Sequence, residues 1–114
     1  MARDTLYLLK PFFEKEGLAR FCPDCAMMEG YLATYPQLRE ALDIVYVDYA
    51  RPRAILVDRL GEDHQNAPTL VLSQAAPDAG PHGEIVSANG QSFLTDARPI
   101  TRWLAERFNL AAPL

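Results

Sequence analysis

The feature that most constrains this chain is a set of short apolar runs separated by stretches long enough to form helices. Thr5-Leu6-Tyr7-Leu8-Leu9, Ile44-Val45-Tyr46-Val47 and Thr69-Leu70-Val71-Leu72 are too short for core helices and rich in strand-forming side chains. Such runs read as buried strands, and apolar residues on both faces imply a sheet covered on both sides. Cys22-Pro23 opens a helix between the first two runs, because proline is favoured where the helical N–H would be unpaired anyway. Met28, Leu32 and Tyr35 form its apolar face, with Met27 and Tyr31 beside it, and Pro36 stops it. Pro36 also starts a further turn from Gln37 to Leu42. Arg53 to Leu60 reads as a short helix ended by Gly61.

The remaining segments are connections and a terminal unit. Phe12 to Phe21 shows no clean period, so residues 10–21 read as a long loop. Gln74 to Gly83, with Pro77, Gly80, Pro81 and Gly83, reads as a mobile surface loop within an insertion over 74–90. Glu84 to Ala88 and Gln91 to Leu94 flank Asn89-Gly90, the strongest short hairpin signal. Thr95-Asp96 then starts a helix in which Pro99 fits the first turn and Ile100, Trp103, Leu104 and Phe108 make an apolar stripe. Strand–helix–strand order dictates a right-handed parallel unit, and the hairpin adds antiparallel strands. The expected fold is one α/β domain over 1–114, a mixed sheet with helices on both faces.

Composition narrows the function classes. An apolar content of 49% supports a real core, which argues against wholesale disorder. A net charge of -4, with the basic residues scattered, argues against nucleic-acid partners. No run is long enough to span a bilayer, and Thr5 to Leu9 is too short for a signal-peptide core, so a soluble cytoplasmic protein is expected. In that compartment a structural disulfide between the only two cysteines is a poor explanation, which leaves redox chemistry or metal binding.

Cys22 falls where a helix begins after a strand. Unpaired N–H groups and the helix dipole favour a thiolate at such sites, which lower a thiol from about 8.5 to roughly 3.5–7.5. Cys25 lies almost one turn on, on the same side, placed to attack a mixed disulfide formed at Cys22. Asp24 pulls the other way, since a negative charge near the sulfur blunts thiolate formation. The same spacing supplies half of many tetrahedral zinc sites, but His64 and His82 lie in loops with no ligand spacing between them. Two small thiols capping a helix are the remaining reading.

A strand, then Cys22-Pro23-Asp24-Cys25 opening a helix, then Ala67-Pro68-Thr69 opening a later strand, together resemble the thioredoxin superfamily. The stretch Phe93-Leu94-Thr95-Asp96-Ala97-Arg98-Pro99-Ile100-Thr101-Arg102-Trp103-Leu104 resembles the third-helix entry of glutathione transferase N-terminal domains. The resemblance implies a thioredoxin-like fold nearest the glutaredoxin and glutathione transferase branch, with Pro68 cis and opposite the cysteine pair. It implies catalytic roles for Cys22 and Cys25, contacts from Ala67 and Pro68 to the cysteinyl part of a peptide or glutathione, and Thr95 and Asp96 near the glutamyl end. It implies no metal and no cofactor beyond glutathione as co-substrate. Three features depart from that pattern. Ala97 stands where glutathione transferases commonly have serine, the separate helical domain is absent from this sequence, and the 10–21 link is longer than in glutaredoxins. An uncharacterised bacterial family within the superfamily fits the same residues and would carry no established function.

Other residues have plainer readings. Lys10, Lys15 and Arg20 read as solvated loop charges rather than thiolate partners. Phe12, Phe13 and Phe21 read as a satellite core beneath the loop, and His64 as a surface-loop histidine rather than a proton carrier. Tyr7, Tyr31, Tyr35, Tyr46 and Trp103 read as packing. Thr95 and Asp96 are also good helix N-caps. The first expectation is therefore a small thiol-disulfide oxidoreductase acting on a disulfide-containing protein or glutathione. The alternatives are a non-catalytic binding or assembly module, pairing as a homodimer through an exposed sheet edge or the hairpin, and zinc held by the cysteine pair.

Overall fold

The computed structural model describes residues 2–114. Strand β1 (Thr5–Leu9) is buried at every position, as its unbroken apolar run requires. β2 (Phe13–Lys15) and β3 (Leu18–Arg20) form a separate two-stranded unit. There follow α1 (Pro23–Thr34), the single turn α2 (Leu38–Ala41), β4 (Asp43–Val47), α3 (Ala54–Leu60), β5 (Thr69–Val71), β6 (Val86–Ala88), β7 (Gln91–Thr95) and α4 (Ala97–Phe108). The main sheet runs β4-β1-β5-β7-β6, with β1 parallel to β4 and the other neighbours antiparallel. This is the expected mixed α/β sheet.

Register sorts its two faces, because side chains of directly paired residues point the same way. Leu6, Leu70 and Leu94 form one row, and Thr5, Val71 and Phe93 form a row on the opposite face. α4 covers the leucine row: it packs on β7, Leu94 lines one cavity with Pro99 and Trp103, and Ile100 and Leu104 are fully buried. α1 lies against α4 and sends Met28 and Leu32 into the core. α3 covers the other face, where Arg59 donates to Thr5 Oγ1 at 3.1 Å and to the Tyr7 hydroxyl at 2.9 Å. Each fully buried leucine contributes about 1.5–3 kcal/mol, so Leu6, Leu8, Leu70 and Leu104 hold the α1–α4 layer to the sheet.

Several sequence expectations need correction. The 10–21 link is a hairpin rather than a loop, because Glu16 and Gly17 both take positive φ, 57° and 77°, as a tight two-residue turn demands. Its strands are three residues long and mostly exposed, so no period shows. Phe12 and Phe21 are exposed and build no satellite core; Phe13 alone is anchored, stacked on Tyr49 at 4.0 Å. β4 is an edge strand rather than one covered on both faces, and Tyr46 stays 39% exposed because no strand pairs beyond it. The 74–83 segment lacks regular structure but is tied down: Ile85 is buried, His82 bonds Glu106 and Glu84 pairs with Arg102. His64 is half-buried, packed edge-on against Phe93, not a free surface histidine. The hairpin at Asn89-Gly90 forms as its residue types require, with φ of 53° and 75°. Among the described residues no helix is long and apolar enough to cross a membrane.

Candidate functional site

Cys22 is the N-cap of α1. Its backbone is extended and its sulfur accepts the Cys25 N–H at 3.2 Å, taking the role a serine or aspartate oxygen usually plays. Pro23 follows as the first helical residue, where no N–H is missed. Cys25 is buried, and its sulfur accepts the Leu9 N–H from the end of β1 at 3.4 Å. Sheet and helix therefore converge on two free thiols in unequal surroundings, with Cys22 half-exposed and Cys25 enclosed. Burial pushes the Cys25 thiol up to about 12; the Leu9 N–H opposes this, while Cys22 and the Asp24 charge add to it. The outer sulfur can meet a partner, and the inner one needs help to ionise.

The other expected site residues gather at the same end of the sheet. The Ala67–Pro68 peptide bond is cis, and the Cys22 thiol lies 3.9 Å from the Ala67 carbonyl oxygen it faces. The Asp96 N–H donates to the Pro68 carbonyl at 3.3 Å, and Thr95 pairs with Thr69 in the β5–β7 ladder. Asp24 completes the link: its carboxylate accepts the Ala97 N–H at 3.0 Å.

That contact corrects one expectation. Asp96 stands at the N-cap of α4, with φ at 71°, yet its side chain caps nothing. The capping oxygen comes instead from Asp24, on another helix. The Asp24 charge is correspondingly directed at the positive end of α4, and its effect on the sulfurs is only one of its interactions. A non-glycine residue with this φ persists only where its surroundings over-determine it, and here Asp24 and the Pro68 carbonyl hold both sides of Asp96.

Two functional candidates escaped sequence reasoning. Arg53 is only 8% exposed; its guanidinium donates twice to the Tyr49 carbonyl, at 3.1 and 2.7 Å, and once to that of Gln65 at 2.8 Å. No carboxylate pairs with it among the described residues. Burial and then Arg51 lower its pKa, while Tyr49 and both cysteines pull it up. Gln65 stands just before Asn66 and Ala67, so one segment both holds Arg53 and faces Cys22. A lone arginine ahead of a helix carries no sign of this. Lys10, Arg20 and Lys15 stay at the surface as expected, Lys10 with Asp48, Arg20 with Glu16 and Lys15 over the Tyr49 ring.

The second candidate is Glu29. A cleft of about 310 Å³ opens beside the sulfurs, and its walls include Lys10, Phe21, both cysteines, Glu29 and Tyr46. The Glu29 carboxylate is fixed by Arg39 at 2.9 Å and by the Tyr46 hydroxyl at 2.7 Å. Its spacing from Cys25 was a usable signal, since residues four apart share a helix face. Among the described residues no group of three or more His, Cys, Asp or Glu is arranged to hold a metal ion, and His64 and His82 are engaged elsewhere.

The sequence pattern of one protein family, described as a protein of unknown function (DUF3088), matches residues 3–112. Searches of curated proteins and of solved structures found no match.

Proposed function

The chain belongs to the DUF3088 family of proteins of unknown function, and from that premise we propose that it is a small thiol-disulfide oxidoreductase of thioredoxin-like fold. The observation that carries this reading is the asymmetric pair, a half-exposed Cys22 at a helix N-cap with a buried Cys25 one turn behind it. The exposure of the outer sulfur at the helix start lets a partner reach it.

In the proposed reaction the Cys22 thiolate attacks one sulfur of a disulfide. A mixed disulfide forms and one substrate thiolate leaves. Cys25 then loses its proton and attacks Cys22, expelling the second substrate thiolate. Two electrons have passed to the substrate, and a Cys22–Cys25 disulfide remains for a dithiol or glutathione to reduce. The partner, a disulfide-containing protein or glutathione, would lie along Ala67 and Pro68 beside Cys22, with Thr95 and Asp96 at its far end. A reducing cytoplasm would keep the resting pair as thiols.

Treatment with glutathione disulfide, followed by intact mass and peptide mapping, tests this. The expected result is a glutathione adduct at Cys22 in the Cys25→Ser protein and an internal disulfide in the parent. A Cys22→Ser protein that reduces disulfides as fast as the parent would overturn the reading.

A further inference from the structure

Resolving a mixed disulfide requires Cys25 as a thiolate, yet Cys25 is an enclosed thiol whose nearest fixed partner is a single backbone N–H, that of Leu9. A group lining the same cleft is placed to take its proton. Among the described residues Glu29 is the only carboxylate lining that cleft. It follows Cys25 by one helical turn, which puts the two side chains on one face with Cβ atoms about 5–6 Å apart. Arg39 and Tyr46 each hold one of its oxygens, and each oxygen keeps a further lone pair to accept with.

We propose that Glu29 is the proton acceptor for Cys25 in the resolving step, an inference that rests on the redox reading above. The proton leaves Cys25 Sγ and reaches the Glu29 carboxylate through water. The freed electron pair on Cys25 forms the bond to Cys22 Sγ, the bond between Cys22 and the substrate sulfur breaks, and the substrate departs as a thiolate. Glu29, whose side chain is 37% exposed, then returns the proton to solvent. The charged and titratable groups facing it are Cys22 and Cys25 from α1, Arg39 from α2, Tyr46 from β4 and Lys10 beyond β1.

One equivalent of dithiobis(nitrobenzoate), a symmetric disulfide that releases a coloured thiolate at each step, separates the two events by stopped flow. The first release reports attack by Cys22 and the second reports resolution by Cys25; Cys25→Ser must lose the second. Glu29→Gln is expected to slow the second release at least about tenfold near neutral pH and leave the first within about twofold. The slowed phase should recover as pH rises, when hydroxide replaces the carboxylate, and Glu29→Asp should restore part of the rate. If Glu29→Gln fails to fold, Tyr46→Phe removes one of the groups that aim the carboxylate, and a selective slowing of the second release is again expected. An unchanged second release, or equal slowing of both phases, would overturn the assignment of Glu29. A parent protein that gives no second release would instead overturn the redox reading beneath it.

Discussion

Replacing Asp24 by alanine removes the acceptor for the first N–H of α4. That N–H, on Ala97, is among those with no intrahelical partner, and the Asp24 carboxylate meets it at 3.0 Å. Loss of a side-chain cap costs about 0.5–2 kcal/mol, and loss of negative charge at a helix N-terminus about 0.3–1 kcal/mol more. Two features place the cost in the upper part of that range. Ala97 is only 1% exposed, so water replaces the lost acceptor poorly, and Asp96, the residue positioned to substitute, makes no capping bond. The combined loss is about 1.5–2.5 kcal/mol.

With a urea slope of about 1.5 kcal/mol/M for a domain of this size, the unfolding midpoint should fall by about 1–1.7 M. Asp24→Asn keeps an acceptor oxygen and loses the charge, so its midpoint should lie between parent and alanine, nearer the parent. The assay is equilibrium urea unfolding by circular dichroism of the reduced proteins, with amide exchange at Ala97 as a local check. An alanine midpoint within about 0.2 M of the parent, on the same slope scale, would refute the argument that Asp24 caps α4.

Four further outcomes follow from the geometry. Iodoacetamide should label Cys22 well ahead of Cys25 in the native protein, since a rise from 9.0 to about 12 leaves about a thousandfold less thiolate on Cys25; equal labelling by peptide mass mapping would contradict its enclosure. The folded state holds the Cys25 proton up to about 12 while an unfolded thiol releases it near 9.0, so this contribution to stability is intact below about 9.0 and is lost as pH rises towards 12. Stability of Cys25→Ala should therefore fall less steeply with pH than that of the parent over this window, and identical slopes would count against the shift. Arg53→Met strands the Tyr49 and Gln65 carbonyls and should cost about 1–3 kcal/mol by thermal unfolding, with Arg53→Lys recovering only part because an ammonium cannot reproduce the guanidinium fork. Leu104→Ala, at a fully buried position between α4 and the sheet, should cost about 2–5 kcal/mol, and a loss below about 1 kcal/mol would show that the helix is held elsewhere.

What the sequence made legible is what depends on local order. β1 and β5 are central and covered on both faces, so burial leaves an unbroken apolar run in each. Asn89-Gly90 turns because those residue types accept positive φ at little cost, whereas Glu16-Gly17 makes the same turn with a first residue that does not advertise it. The edge position of β4 was illegible for a different reason. Ile44 to Val47 looks like a central strand, and only the absence of a neighbour beyond it, a fact about the whole sheet, leaves Tyr46 exposed and free to hold Glu29.

The same division runs through the site. Spacing singles out Cys22 and Cys25, and the thioredoxin resemblance adds Pro68, because the chain carries that order explicitly. Asp24 shows where that kind of evidence ends. Read along the chain, its nearest neighbours are two sulfurs and its charge can only oppose their ionisation. In the fold its carboxylate meets the start of a helix far along the sequence, so a side chain that adds to the rise of Cys25 also anchors the segment carrying Asp96. Comparing Asp24→Asn with Asp24→Ala separates the two effects. Both variants remove the charge that acts on Cys25, but only alanine removes the acceptor that α4 requires. A change in thiol reactivity shared by the two, beside a loss of stability confined mainly to alanine, is the signature of one residue serving both ends of the site.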